Sequence, residues 1–187
     1  MKILIQIPKI MHKETEALAE ELMCIFPSEC SSAADESDDS NDIDLRIRIV
    51  QDIKPQWILL KNARMELVFK IIHYKSRTYM GVCKPISKTD PPQLVVNNFT
   101  TDVGMKVAEF LMEMFPFAQE SRQVANFTVE GDFLYFRLYK YCFGEKGPIL
   151  ENVGPHLTLR LWKLVEYGEG QKKVMNFKKF IKNACVL

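Results

Sequence analysis

The segment from Phe133 to Phe143, FLYFRLYKYCF, carries the side chains best suited to chemistry. Read with a strand's period of two, Phe133, Tyr135, Arg137, Tyr139 and Tyr141 share one face, and Leu134, Phe136, Leu138, Lys140 and Cys142 share the other. Rings interleaved with a guanidinium suit single-stranded nucleic acid, because bases stack on the rings and Arg takes phosphate or stacks in turn. The same aromatics could serve equally as core beneath a helix, with their hydroxyls at the rim. Leu157–Val165 also alternates, sending Leu157, Leu159 and Leu161 one way and Arg160 and Trp162 the other. If these two strands are neighbours, basic residues gather on one exposed side. Lys172, Lys173, Lys178, Lys179 and Lys182 add a basic tail, for which a solvated helix face is the ordinary reading.

Other chemistry finds little support. His12, His73 and His156 are far apart and make no HExxH, and the five cysteines (Cys24, Cys30, Cys83, Cys142, Cys185) make no CxxC. The 8 glycines form neither GxGxxG nor GxxxxGK[ST], and no GxSxG is present. Cys83 and Cys142 lie in apolar, strand-like stretches, where a thiol is usually an inert small hydrophobe. The expectation is therefore no metal, no cofactor, no small-molecule substrate and no catalysis.

The elements around these residues follow from periodicity. ILIQI at 3–7 reads as a buried strand, and Glu14–Phe26 as a helix with Leu18, Leu22, Ile25 and Phe26 on one face, stopped by Pro27. Residues 28–44 are rich in Ser and Asp and read as an acidic loop too polar to offset its ordering entropy. Leu45–Val50, Trp57–Leu60, Glu66–Ile72 and Thr78–Cys83 read as strands, and Lys84–Pro92 as a connector. The opening pattern then recurs: a strand at Leu94–Asn97, a helix capped by Thr101 or Asp102, and a stop at Pro116. Ala19–Pro27 (AEELMCIFP) and Ala108–Pro116 (AEFLMEMFP) are identical at six of nine positions, 89 residues apart. Two unrelated amphipathic helices ending at Pro are the plain alternative to a duplicated strand–helix–strands unit. Strands at Val124–Val129, Phe133–Phe143 and Leu157–Val165 follow, with a short helix at Phe177–Asn183. The pattern implies an α/β fold of two similar halves, 1–90 and 91–187, within one domain, with mixed sheets and packed helices.

The chain of 187 residues, 47% apolar and 26% charged, has globular composition. Its formal net charge of +1 hides a gradient. Residues 1–50 hold 5 basic and 11 acidic side chains, whereas 121–187 hold 11 basic and 6 acidic, so a polyanion-facing surface is expected in the second half. No run approaches the roughly 18 apolar residues of a membrane helix, which reads as a soluble, intracellular protein.

Several motifs occur in a recognisable order. They are Asn97-Asn98-Phe99-Thr100-Thr101 with Gly104, Met114-Phe115-Pro116, Arg122-Gln123-Val124-Ala125 with Phe127, Asp132-Phe133, Tyr135-Phe136-Arg137, Val153-Gly154-Pro155, and Leu157 to Leu161. In this order the chain resembles Brix-domain proteins, ribosome-assembly factors of the nucleolus with archaeal relatives. The resemblance is dense from about residue 92 to 165 and implies a Brix-like domain of two similar halves. It also implies binding to pre-ribosomal RNA and to other assembly proteins, in the nucleus and without catalysis. The Asn-Asn-Phe-Thr-Thr and Arg-Gln-Val-Ala forms look most like the branch acting on the large-subunit precursor; a small-subunit processome member and a purely protein-binding scaffold are the alternatives. The RNA-binding candidates on this reading are Arg122, Arg137, Tyr139, Lys140, His156, Arg160 and Lys163. His156 stands where the family usually has Arg, so a neutral imidazole replaces a fixed cation there.

Overall fold

The computed structural model describes residues 1–26, 30–34, 43–87, 89–115, 117–118, 121–145, 147–168, 170–177 and 187. Its elements are β1 (Ile3–Ile7), α1 (Lys13–Ile25), β2 (Cys30–Ala34), β3 (Leu45–Gln51), β4 (Pro55–Lys61), β5 (Met65–Lys75), β6 (Gln93–Asn97), α2 (Asp102–Met114), β7 (Gln123–Glu130), β8 (Phe133–Gly144), β9 (Gly147–Gly168) and β10 (Gln171–Asn176). The described strands form one mixed sheet in the order β2-β1-β3-β4-β5-β9-β8-β7-β6, with β10 also paired to β9.

The pairings recur. β1 and β3 are parallel and joined across α1, after which β3, β4 and β5 run antiparallel. β6 and β7 are parallel and joined across α2, after which β7, β8 and β9 run antiparallel. The two sets meet where β5 pairs antiparallel with β9. β2 lies outside β1, in parallel with it.

Alternation explains which face is dry. β3 buries Leu45, Ile47 and Ile49, β5 buries Leu67, Phe69 and Ile71, and β8 buries Leu134, Phe136 and Leu138. These residues join the apolar faces of α1 and α2 in one core cluster, so both helices cover the same face of the sheet. Phe26 and Phe115, the matched residues of the repeated segment, meet with ring centroids 5.6 Å apart. The contact continues from Phe115 to Phe127 and from Phe127 to Phe136, at 5.9 and 4.8 Å. Rings in tilted or edge-on contact at these distances add to their area burial.

The recognisable motifs do structural work. Asn98 sits at φ 64, a left-handed conformation that Asn tolerates better than most residues, and its side chain donates to the Val129 carbonyl. Phe99 then plugs the core, and Thr101 caps α2 by accepting from the Gly104 N–H at 2.9 Å. Gln123, fully buried, accepts from the Ser87 N–H and donates to the Ser87 and Asp90 carbonyls, pinning the connector to β7.

Val153-Gly154-Pro155 is a bulge. The β8–β9 register steps from Arg137↔His156 to Tyr139↔Asn152, leaving three β9 residues opposite Leu138. The Val153 carbonyl, freed from the ladder, accepts from Arg77 Nε at 2.7 Å. Arg77's backbone N–H and the Tyr74 hydroxyl both donate to Glu21 of α1, which ties helix, strand and bulge together.

Several sequence expectations are corrected. Thr78–Cys83 is a chain of turns, closed by bonds such as Val82 N–H to Arg77 O, and not a strand. Within the stretch 28–44, Cys30–Ala34 forms β2, because a neighbouring edge can order even a small polar segment; 35–42 lies outside the described residues. β9 is far longer than Leu157–Val165, at 22 residues, and Lys172 and Lys173, read as part of a solvated helix face, lie instead on the strand β10. The helix expected at Phe177–Asn183 falls almost wholly outside the described residues.

A Cβ added at Gly154 would lie 2.3 Å from Leu138 Cβ, a contact only a strand shift can relieve. Gly154→Ala is expected to destabilise the fold by about 1–3 kcal/mol, as overpacking does. Gly168→Ala, whose Cβ would find its nearest neighbour at 3.7 Å, stays close to the parent chain. Urea unfolding followed by circular dichroism compares the two.

Candidate nucleic-acid interface

With both helices on one side, the opposite face of the sheet carries the remaining alternate residues. Across β7, β8 and β9 the register sets Thr128 beside Tyr135 and Thr158, and Asn126 beside Arg137 and His156. Further along, Trp57, Lys70 and Arg160 lie in one row across β4, β5 and β9. Lys61 and Lys172 both lie over the Tyr167 ring, at 5.7 and 5.5 Å. This open face carries aromatic and basic residues among Asn, Thr and aliphatic ones, and is half-buried in most places. Among the described residues no helix packs on it.

The sequence candidates distribute unevenly. Arg137, Tyr139, His156, Arg160 and Lys163 share the open face by register. Lys140 points to the other face of β8, in register with Gln123 and Glu151. Arg122 is exposed at the start of β7, its carbonyl accepting from the Tyr141 N–H and its own N–H donating to Asp90. The core-versus-surface ambiguity of FLYFRLYKYCF resolves cleanly: Leu134, Phe136 and Leu138 are core, and Tyr135, Arg137 and Tyr139 are half-buried on the open side.

The cations are held to different degrees. The Arg137 guanidinium lies 5.6 Å from the Tyr135 ring and donates to the Phe136 and Leu157 carbonyls at 2.6 and 2.9 Å. Burial lowers its pKa from the usual arginine range. Arg160 is paired with the buried Asp132 at 3.8 Å, and Lys163 with Glu66 at 3.6 Å. Glu66 also accepts from the Tyr167 hydroxyl, whose pKa burial and that carboxylate push up to about 12. These groups are pre-positioned by protein acceptors, whereas Lys61, Lys70 and Lys172 are exposed with only aromatic faces beneath them.

His156 is a special case. Burial first, then the nearby charges of Arg137, Lys75 and His73, push its pKa down to about 4. The imidazole is thus neutral at physiological pH and sits against the Asn152 amide, which can donate to it. A position where the resemblance implied a cation carries none.

Sequence reasoning missed the first-half contribution. Arg46, Arg48, Trp57, Lys61 and Lys70 belong to the same face through the β3–β4–β5–β9 register, and no local motif marks them. The signal available was alternation in LRIRIV; what it lacked was knowledge that β5 and β9 are neighbours. A cleft of about 540 Å³ between the start of α1 and the end of β5 brings Glu14, His73, Tyr74 and Lys75 together. No group of three or more His, Cys, Asp or Glu that could hold a metal ion occurs among the described residues.

Between pH 4 and 6.5 the unfolded chain holds a proton on His156 that the folded chain rejects. Folding stability therefore falls as pH drops from 6.5 through 4. Carboxylates titrate in the same window, so the difference between variants isolates the imidazole. His156→Gln is expected to show a shallower loss than the parent in urea melts run across these pH values.

No protein-family model matches the chain. The Brix domain-containing protein C4F8.04 of Schizosaccharomyces pombe is 38% identical over 92 residues, covering 44% of this chain and 29% of that protein. Ribosome production factor 1 of Danio rerio is 37% identical over 76 residues, 39% of this chain and 23% of the relative. The U3 small nucleolar ribonucleoprotein protein IMP4 of Yarrowia lipolytica is 37% identical over 75 residues, 39% of this chain and 26% of the relative. The matched stretch thus spans less than a third of each of these relatives. In three dimensions, the crystal structure of a probable ribosomal biogenesis protein from Aeropyrum pernix K1 superposes with a TM-score of 0.54 at 11% identity, covering 85% of this chain and 95% of that one. At that identity the likeness is one of fold. Over its matched stretch the chain is similar to Brix-domain and ribosome-production proteins, and over most of its length its fold is like that of the archaeal protein.

Proposed function

We propose that this protein is a non-catalytic ribosome-assembly factor that binds pre-ribosomal RNA through the open face of its sheet. The observation that carries the reading is the set of aromatic and basic residues on the surface opposite the two helices, from Lys61 and Trp57 across to Arg137 and Tyr139. Rings supply stacking platforms and the exposed lysines supply phosphate contacts. The relatives' names support a place in ribosome biogenesis, and with it in the nucleolus. We assign it to the large-subunit precursor, on the Asn97–Thr101 and Arg122–Ala125 motifs; the matching IMP4 makes the small-subunit precursor the alternative. Sedimentation of the tagged protein through a sucrose gradient separates the two, since co-migration with small-subunit precursors alone would overturn the large-subunit assignment.

Affinity for ribosomal RNA fragments, read by fluorescence anisotropy, should fall linearly with the logarithm of salt concentration. Lys61→Gln and Lys172→Gln, both exposed, are each expected to reduce that slope by about 0.7 to 0.9 while leaving the melting temperature unchanged. RNA affinity that is absent, or indifferent to salt, would sink the RNA reading.

A second reading has its own support. β6 ends the sheet with no described strand outside it, although β1 at the corresponding place is covered by β2. Beside β6 runs an apolar groove of about 530 Å³ lined by Leu94, Val96, Met112, Phe115 and Phe117, with Met112 54% and Phe117 93% exposed. An extended segment of another assembly protein would add to β6 as β2 adds to β1. Met112→Glu with Phe117→Glu is then expected to lower recovery of a nuclease-resistant partner about tenfold or more while RNA affinity stays the same.

A further inference from the structure

We propose that Trp57, Trp162 and Lys70 form a subsite that stacks one unpaired base of a single-stranded RNA. This deepens the RNA reading and rests on it. Trp57 comes from β4 and Trp162 from β9, on either side of β5, and their ring centroids lie 5.2 Å apart at an interplanar angle of 76°. Lys70, on the strand between them, holds its ammonium 5.9 and 6.0 Å from the two ring centroids.

The backbone is shaped to put Trp162 there. The β5–β9 register passes from Val68↔Lys163 to Phe69↔Leu161, so Trp162 is an extra residue with no partner on β5. On the C-terminal side Leu164 faces the core, and on the N-terminal side Leu161 does. An uninterrupted strand cannot satisfy both. The bulge absorbs the mismatch and leaves Trp162 on the open face beside Trp57.

Core packing does not account for the pair. Both indoles are half-buried on the side of the sheet away from α1 and α2, and neither belongs to the core cluster. Neither indole N–H donates to another described residue. Lys70 is exposed, and its only described contacts are the two rings, an interaction a solvated ammonium readily gives up. A base approaching the outer ring face would displace Lys70, which is then within reach of the attached phosphate.

Charge selects the class of ligand. An aromatic pair can also cage a cation such as a methylated lysine, but the Lys70 ammonium already occupies that position. It repels a second cation and favours a π-system that carries negative charge. A stacked base with its phosphate has both properties, and unpaired nucleotides present the ring face that a duplex hides.

The test uses a property of the sequence: these two are the chain's 2 tryptophans, so tryptophan emission, excited beyond the tyrosine band, reports on this subsite alone. Labelled short oligoadenylate is titrated into the whole chain while its anisotropy and the tryptophan emission are followed together. Emission is expected to be quenched in step with binding, and less by a duplex of equal length. Trp57→Leu and Trp162→Leu should each weaken binding about fivefold to a hundredfold, from a stack worth about 1–3 kcal/mol. Trp57→Phe, which keeps a ring, should retain most of the affinity, separating stacking from a folding defect. Oligoadenylate that binds without quenching, with the leucine variants unimpaired, overturns the subsite and leaves RNA binding through the rest of the face intact. Absence of any anisotropy change with every RNA tried overturns the RNA reading and this subsite with it.

Discussion

The antiparallel ladder between β5 and β9 is the contact on which the rest of the molecule depends. It runs from Met65↔Glu166 to Lys75↔His156 and turns two groups of strands into one sheet. Leu67, Phe69, Leu161 and Leu164 are sealed along it on the helix side. On this continuous sheet α1 and α2 share a face, and the ring contact between Phe26 and Phe115 becomes possible. Because that face is shared, the other is left to side chains alone. Pairing at the seam therefore decides where the basic and aromatic residues of both groups end up together.

Much of this was legible beforehand, and the failures have a common physical cause. Elements with strong periodicity, such as Leu45–Val50, Phe133–Phe143 and both helices, announce themselves through burial that each residue shares with its own near neighbours. Cys30–Ala34 and Gln171–Asn176 have no such pattern. Their order comes from hydrogen bonds to β1 and β9, which a local reading cannot see. Thr78–Cys83 failed in the opposite way: β-forming residue types are present, but among the described residues no strand pairs with them.

The candidate site divides along similar lines. Alternation placed Arg137, Tyr139 and Arg160 on one side correctly. It could not reveal that Arg137 is laid against backbone carbonyls and Arg160 against Asp132, since those partners depend on the fold. Motif resemblance located the densest part of the chain, yet the structure gives many of those residues architectural duties. Asn98 turns the chain, Thr101 caps, Gln123 clamps the connector, and Gly154 allows two strands to touch. A pattern shared with relatives and a surface that meets a ligand are different properties, and here they overlap only in part.

β9 offers a last consequence. In 22 residues it serves β8, β5 and β10; the two extra residues of the Val153–Pro155 bulge keep its inside–outside phase, whereas the single extra residue at Trp162 reverses it. Such a strand resembles a text with punctuation that resets the frame. Replacing a letter alters one contact; removing or adding one would invert the orientation of every residue up to the next reset. Leu164 would face solvent and Lys163 the core. The length of this part of the chain is accordingly as constrained as its buried residues, because the spacing on either side of Trp162 decides which side chains are buried.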